Sequence, residues 1–343
     1  MHQRKNILHF FIWTTFLLFC YQVDAQDIHF SQFNSSPMNL NPALAGNFDG
    51  QYRLIGNHRR QWLAVSPDAI PYQTFGFSAD ANNVLKNGIG AGLSIYNDRD
   101  GWSKLNTFQA NLTGSYRLKL NTDSTLFLAP GIQVGITQQN INYDELSFDN
   151  QYNGIYYDEN AGFGENFNQN NHLYANVNAG IALFYQIDDR TAIDAGISAY
   201  NITKPKQSFL GNDAIRLDRR LNFHARATVS ITDNLALIPS YLFMAQGNFR
   251  EFDIGLSGKY ILNKSALLYR AVYAGIWART QDAGFISAGI DYNAWHVGVS
   301  YDINLSTLRN ASDGRGGFEL AIIYIIQPKP PKRLRYKMCP DYI

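Results

Sequence analysis

Apolar residues recur at every second position through most of this chain. Ile89, Ala91, Leu93 and Ile95 share one face of the first clear run, with Gly88, Gly90, Gly92 and Ser94 on the other. Phe108, Ala110, Leu112, Gly114, Tyr116 and Leu118 alternate with Thr107, Gln109, Asn111, Thr113, Ser115 and Arg117. The same period returns in Leu126–Ile136, Leu173–Leu183, Leu221–Val229 and Phe252–Tyr260. A period of two is the mark of a β-strand with unlike faces. Several runs reach ten residues or more, whereas strands of soluble sandwiches are usually about five or six long. Ten is the length a tilted strand needs to cross a bilayer. Strands are predicted near 51–58, 72–80, 87–97, 105–119, 124–138, 172–186, 190–202, 219–231, 234–246, 250–262, 265–278, 282–292, 294–303 and 316–326. The expected fold is therefore all-β, a transmembrane antiparallel barrel of about 14 strands. The runs at 234–246 and 265–278 alternate poorly, which leaves the count open by two.

Ahead of the strands, residues 27–46 read DIHFSQFNSSPMNLNPALAG and have no period at all. Pro37 and Pro42 lie among Asn and Ser, yet Phe30, Phe33, Met38, Leu40 and Leu44 need burial. Residues 26–50 are expected to be an ordered, plug-like segment packed against or inside the lumen of a barrel formed by residues 51–327. The turns at 187–190 (IDDR) and 232–234 (TDN) are short and polar, as on a periplasmic side. The stretch 139–171, rich in Asn, Tyr and Gly, belongs at the opposite, outer rim. Trp102, Tyr116, Tyr185, Tyr260 and Trp295 suit interfacial aromatic girdles.

Composition agrees with a membrane barrel. Charged residues are 17% of the chain and aromatics 14%, with 27 glycines. Mean hydropathy is nonetheless slightly negative, because half of each strand faces a polar lumen. Residues 1–25 read as a signal peptide: Arg4 and Lys5, an apolar core over 7–19, then Val23 and Ala25 before a cut at Gln26. The apolar run is short for a spanning anchor, and Phe19 is too bulky to precede a lipidated Cys20. Removing this peptide leaves a formally neutral chain with no basic field for nucleic acid. The one remaining thiol, Cys339, excludes an internal disulfide framework.

No cofactor or metal pattern is present, and the glycines fall in strands rather than in a phosphate loop. His224, His296 and Asp253 could meet a Ser inside a barrel, but no nucleophile motif accompanies them. No enzymatic activity is expected. The inward charges Arg117, Asp194, Arg226, Glu251, Asp253, Lys259, Asp302 and Glu319 read most simply as paired lumen residues, or as selectivity residues. After the last strand, the tail 328–343 carries Lys329, Lys332, Arg333, Arg335 and Lys337 before Cys339 and Pro340. It reads as either a periplasmic docking peptide or a solvated terminus.

One block is more specific than the strands. Asp27, His29, Phe30, Ser31, Gln32 and Phe33 are followed by Ser36-Pro37, Asn41-Pro42-Ala43 and Gly46. Arg53, Asn57, Arg59, Gln61-Trp62, Pro71-Tyr72 and Phe75 come next. With the lysine-rich run into Cys339-Pro340, this resembles the PorP/SprF family of the type IX secretion system, although Ile343 follows the usual closing aromatic. The resemblance implies a non-catalytic outer-membrane protein that assists export or surface attachment. Its implied partners are the translocon, periplasmic ring components or an adhesin client. The plug motif is then Phe30, Gln32, Phe33, Pro37, Asn41, Pro42, Ala43 and Gly46. Arg59, Arg60, Gln61 and Trp62 are candidate contacts for the plug or a partner, and Lys332, Arg333, Arg335, Lys337 and Cys339 for docking by the tail. Long-chain fatty-acid transporters share about 14 strands and an Asn-Pro-Ala plug motif, so a solute channel is the competing class. A soluble periplasmic β-protein is the third. An apolar ligand pocket between plug and wall would mark the transporter, and a lumen blocked by polar contacts the secretion accessory.

Overall fold

The computed structural model describes residues 27–61, 72–84, 88–101, 105–143, 146, 148–158, 169–209, 212, 214–265, 268–280, 282–306 and 312–328. The predicted signal peptide at 1–25, Trp62, Trp102 and the tail residues 332–339 lie outside them.

The wall strands are β1 (Tyr52–Gln61), β2 (Tyr72–Ala81), β3 (Ile89–Asp100), β4 (Leu105–Tyr116), β5 (Leu118–Lys119), β6 (Leu126–Asn140), β7 (Asn171–Gln186) and β8 (Thr191–Tyr200). They continue as β9 (Arg220–Ser230), β10 (Leu235–Gln246), β11 (Phe249–Lys264), β12 (Tyr269–Arg279), β13 (Ala283–Tyr292), β14 (Trp295–Asn304) and β15 (Arg315–Ile326). Sequential neighbours pair antiparallel, and β1 pairs with β15 from Tyr52↔Ile326 to Gln61↔Gly317, so the sheet closes on itself. The two-residue β5 prolongs β4 past Arg117 along the same neighbour, β6. The wall is thus a closed antiparallel barrel of 14 strands with one short extra strand. Closure leaves no open edge, the condition for a sheet surrounded by hydrocarbon.

Alternation decides what faces where. On β6, Leu128, Pro130, Ile132, Val134 and Ile136 point outward, while Gln133, Thr137 and Gln139 are buried inside. The outer face is apolar around the barrel: Phe77, Leu112, Ile197, Ile254, Ile276 and Ile286 are all exposed there. Tyr116, Tyr185, Tyr260 and Trp295 are also exposed, near strand ends. β10 and β12 alternate poorly for a structural reason. Their inward Leu242, Met244 and Trp277 are apolar too, because they meet apolar residues of the N-terminal segment. The strand expected from residue 265 starts at Tyr269, after a turn closed by the Ser265 N–H bonded to the Leu268 carbonyl.

The two barrel ends differ. One holds the start of β1, the end of β15 and short connections at 187–190, 231–234, 265–268 and 293–294. In the first, the Arg190 N–H donates to Asp188 (2.8 Å) and holds that carboxyl below its ordinary range. The other end carries the long connections 141–170 and 201–219.

Candidate functional site

Residues 27–50 fill the lumen. They hold a 3-10 turn at Phe33–Ser35, a single helical turn α1 (Pro37–Leu40) and a second 3-10 turn at Pro42–Leu44. Such short pieces have few backbone bonds of their own, so the wall must satisfy the rest. Asp27 lies at the long-loop end, where its N–H donates to Gln246 and its carboxylate accepts from Asn201. Ala45 and Gly46 lie at the other end, against Ser115 and Asp80. Between these points the segment exchanges a hydrogen bond or ion pair with the main wall strands except β13, among the described residues.

The upper part is held by charge. Glu319 accepts the backbone N–H groups of Ser31 (2.6 Å) and Gln32 (2.9 Å), one on each carboxylate oxygen. Arg59 supports it from behind (3.2 Å) and donates to the His29 carbonyl (2.8 Å). The Ser31 hydroxyl donates to Asp302 (2.8 Å) and accepts from Arg279 (2.9 Å). Arg279 also pairs with Asp253 (3.1 Å), Asp302 (3.2 Å) and Glu251 (3.4 Å), and Glu251 faces His29 at 3.7 Å. Except for the partly exposed His29, these side chains are almost fully buried, so each charge depends on its partners for solvation.

The middle part is held by neutral amides, hydroxyls and apolar contacts. Gln133 and Tyr200 both donate to the Met38 carbonyl (3.2 and 3.0 Å), while Ser198 and Asn222 donate to that of Leu40 (2.8 and 2.9 Å). Gln133 is itself fixed by Thr113 and Asn178. Phe33, Leu40, Ala43 and Leu44 form one buried cluster with Ala129, Ala182 and Leu242, and Phe33 meets Trp277 edge-on at 5.6 Å. Asn41 is fully buried. Its oxygen accepts the Ala43 N–H, capping the following turn, while its amide donates to the Ile181 and Ile197 carbonyls and meets His224. Gly180 makes this approach possible, since a Cβ there would collide with the Asn41 carboxamide oxygen.

The plug-motif residues therefore converge. Phe30 packs with Ile28 and Tyr96, Pro37 opens α1, Pro42 and Ala43 are buried, and Gly46 turns at φ +67. Among the rim residues, Arg59 reaches the plug, but Arg60 faces outward on the side of His58, which stacks on exposed Phe75. Gln61 ends β1 against Gly317. His224, His296 and Asp253 are not brought together: they engage Asn41, Asp291 and Arg279 respectively. Asp194 pairs with Arg226 (2.8 Å) and Lys259 with Asp291 (3.7 Å), but the inward Arg117 meets no carboxylate among the described residues and donates instead to the Asn47 side-chain oxygen (2.7 Å). Arg220 escaped the sequence reading; it bonds the Ile28 and Asn39 carbonyls and lies over the Tyr200 ring. The alternation over 221–229, carried back one residue, would have placed it inward, but its partners are some 180 residues away in sequence.

Two cavities adjoin the segment, each of about 20 Å³, little more than one water molecule needs. One is polar and lined by Asn111, Gln133, Asn176 and Asn178, and the other lies between Phe33, Leu40, Leu242 and Met244. Among the described residues, no three His, Cys, Asp or Glu are arranged to hold a metal.

The barrel is similar to solved outer-membrane transporters. The toluene transporter TbuX of Ralstonia pickettii superposes with a TM-score of 0.50 at 12% identity, over 84% of this chain and 92% of that one. The monoaromatic hydrocarbon channel CymD gives 0.48 at 11%, over 86% and 93%. A Pseudomonas aeruginosa FadL homologue gives 0.46 at 13%, over 83% and 92%. At such identities the likeness is one of fold. No curated protein sequence matches. The family model described as "Type IX secretion system membrane protein PorP/SprF" matches residues 22–324, nearly the whole length, and the chain belongs to that family.

Proposed function

We propose that this protein is a non-enzymatic outer-membrane component of the type IX secretion system. It assists secretion or surface attachment of client proteins, such as gliding adhesins, by binding the machinery or the client. The observation that carries this reading is the lumen. Residues 27–50 block it with polar contacts to nearly every wall strand, and the adjoining cavities are water-sized. A filled barrel offers its rims and its tail as docking surfaces rather than a conduit. The short-turn end, where β15 ends, faces the periplasm, and the long-loop end faces outward. Export is by the predicted signal peptide, and the basic tail is the candidate docking element.

A second reading has one observation in its favour, the apolar cavity between Phe33, Leu40, Leu242 and Met244. It is far smaller than the roughly 300 Å³ of an ordinary ligand pocket. Affinity purification from native outer membranes in detergent, followed by mass spectrometry, tests the proposal. Wild type should recover translocon, ring or adhesin proteins, and a variant lacking residues 329–343 should lose them if docking is by the tail. A partner-free monomer that conducts solutes or takes up fatty acids would favour the channel.

A further inference from the structure

Lumen arginines meet carboxylates, Arg53 with Asp80, Arg59 with Glu319, Arg226 with Asp194 and Arg279 with Asp253, while Arg117 bonds the Asn47 side-chain oxygen. Arg60 and Arg99, neighbours on the outer face, are different. Neither has a carboxylate partner among the described residues, and the buried Nε of Arg60 has no hydrogen-bond partner among them, which leaves the outer end of its guanidinium to meet an anion. They lie in one row near the long-loop end, with Arg60 opposite Gln73 on β2 and Gln73 opposite Arg99 on β3. Strand spacing puts their backbones about 10 Å apart.

The rows beneath them give the depth. Phe77, Ile95 and Ala110 form an apolar row across β2, β3 and β4. One step toward the long loops is a mixed row of Phe75, Asn97 and Phe108, in which Asn97 donates to Asn106 (2.7 Å) and His58 stacks on Phe75. The next step is Gln73, Arg99 and Asn106, with Arg60 beside Gln73. Apolar, then aromatic and amide, then guanidinium is the order in which a wall leaves hydrocarbon and enters headgroups. An outward guanidinium at that depth is costly unless an anion meets it, and Arg favours phosphate because its planar fork fits the oxygens in pairs.

We propose that Arg60 and Arg99, with Gln73 between them, bind the phosphate groups of a phosphorylated lipid of the outer leaflet. Elsewhere on the outer face, Arg250 bonds nearby backbone carbonyls and Arg270 lies over the Tyr292 ring. The assignment rests on the long-loop end facing outward, which labelling of cysteines placed at 152–157 on intact cells tests separately.

The direct experiment uses full-length protein, delipidated in neutral detergent and titrated with purified lipopolysaccharide while bound lipid is read by native mass spectrometry. Wild type should retain the lipid. R60Q/R99Q should weaken binding about tenfold or more, while R270Q should not. Dephosphorylated lipopolysaccharide should bind wild type as poorly as the phosphorylated form binds the double variant. Protection of Arg60 and Arg99 from phenylglyoxal in the wild-type protein gives a readout that needs no variant. Equal binding by wild type and double variant, no protection, or full competition by millimolar inorganic phosphate would overturn the proposal.

Discussion

Asn41 shows how much one side chain carries. The Asn-Pro-Ala triplet is visible in the sequence, but not what its carboxamide does, because the Ile181 and Ile197 carbonyls and His224 lie 140 to 183 residues away. Asn41→Ala leaves those groups and the Ala43 N–H without their partner. The segment's seat should weaken by about 2–3 kcal/mol, the range for leaving buried polar groups unpaired. Limited proteolysis of the segment in detergent would show this as faster cleavage, with the barrel itself intact on a heat-shift gel. Glu319 was legible as an inward charge, but not as the acceptor of two successive backbone N–H groups. Glu319→Gln keeps the shape, but it removes the anion facing Arg59 and turns an amide donor toward one of those N–H groups. The loss should exceed that of Asn41→Ala and reach about 3–5 kcal/mol, because the buried Arg59 guanidinium loses its nearer carboxylate and keeps only Asp302 at 3.6 Å. If cleavage rates in the two variants rank the other way, the charged contacts are not the stronger hold.

The wall elements and the plug were legible to very different degrees. Period-two alternation located the strands closely because each strand divides lipid from lumen, as on β6, where Ile132, Val134 and Ile136 oppose Gln133, Thr137 and Gln139. It failed on β10 and β12, where the inward face is apolar as well, and that face is where the plug's Phe33 and Leu40 sit. The plug itself has no period because its partners belong to the surrounding barrel rather than to its own neighbours in sequence. Filling is therefore a property of residues 27–46 and not of the wall. A 14-stranded wall is wider than the roughly eight strands that wall side chains alone can fill. In planar bilayers the wild-type protein should show almost no conductance, whereas a variant lacking residues 27–46 should give stable open steps. A variant as silent as wild type would show that the wall side chains, or a segment outside the described residues, close the lumen.

At the scale of the whole molecule, the family was legible because its motif lies in the plug, where residue identity is set by specific contacts. The partner was not legible, since nothing in a rim or a tail fixes its own complement. The structure does sharpen one choice. If the barrel works as a docking body, the plug has no need to move; if it works as a conduit, the plug must leave the lumen in every cycle. Asn34 and the buried Ser240 meet at 3.5 Å without taking part in the Glu319 and Asn41 contacts, and so offer a place to tie plug to wall. N34C and S240C can be joined by a short thiol cross-linker in a background with Cys339→Ser. Secretion of a type IX client should continue at the uncross-linked rate, because the docking surfaces are unchanged. Fatty-acid or other solute uptake is the matching control, and a fall in uptake alone would assign plug movement to a separate channel activity. A fall in client secretion on cross-linking, restored by a cleavable linker, would mean that the plug is displaced during export and that the blocked lumen is only the resting state.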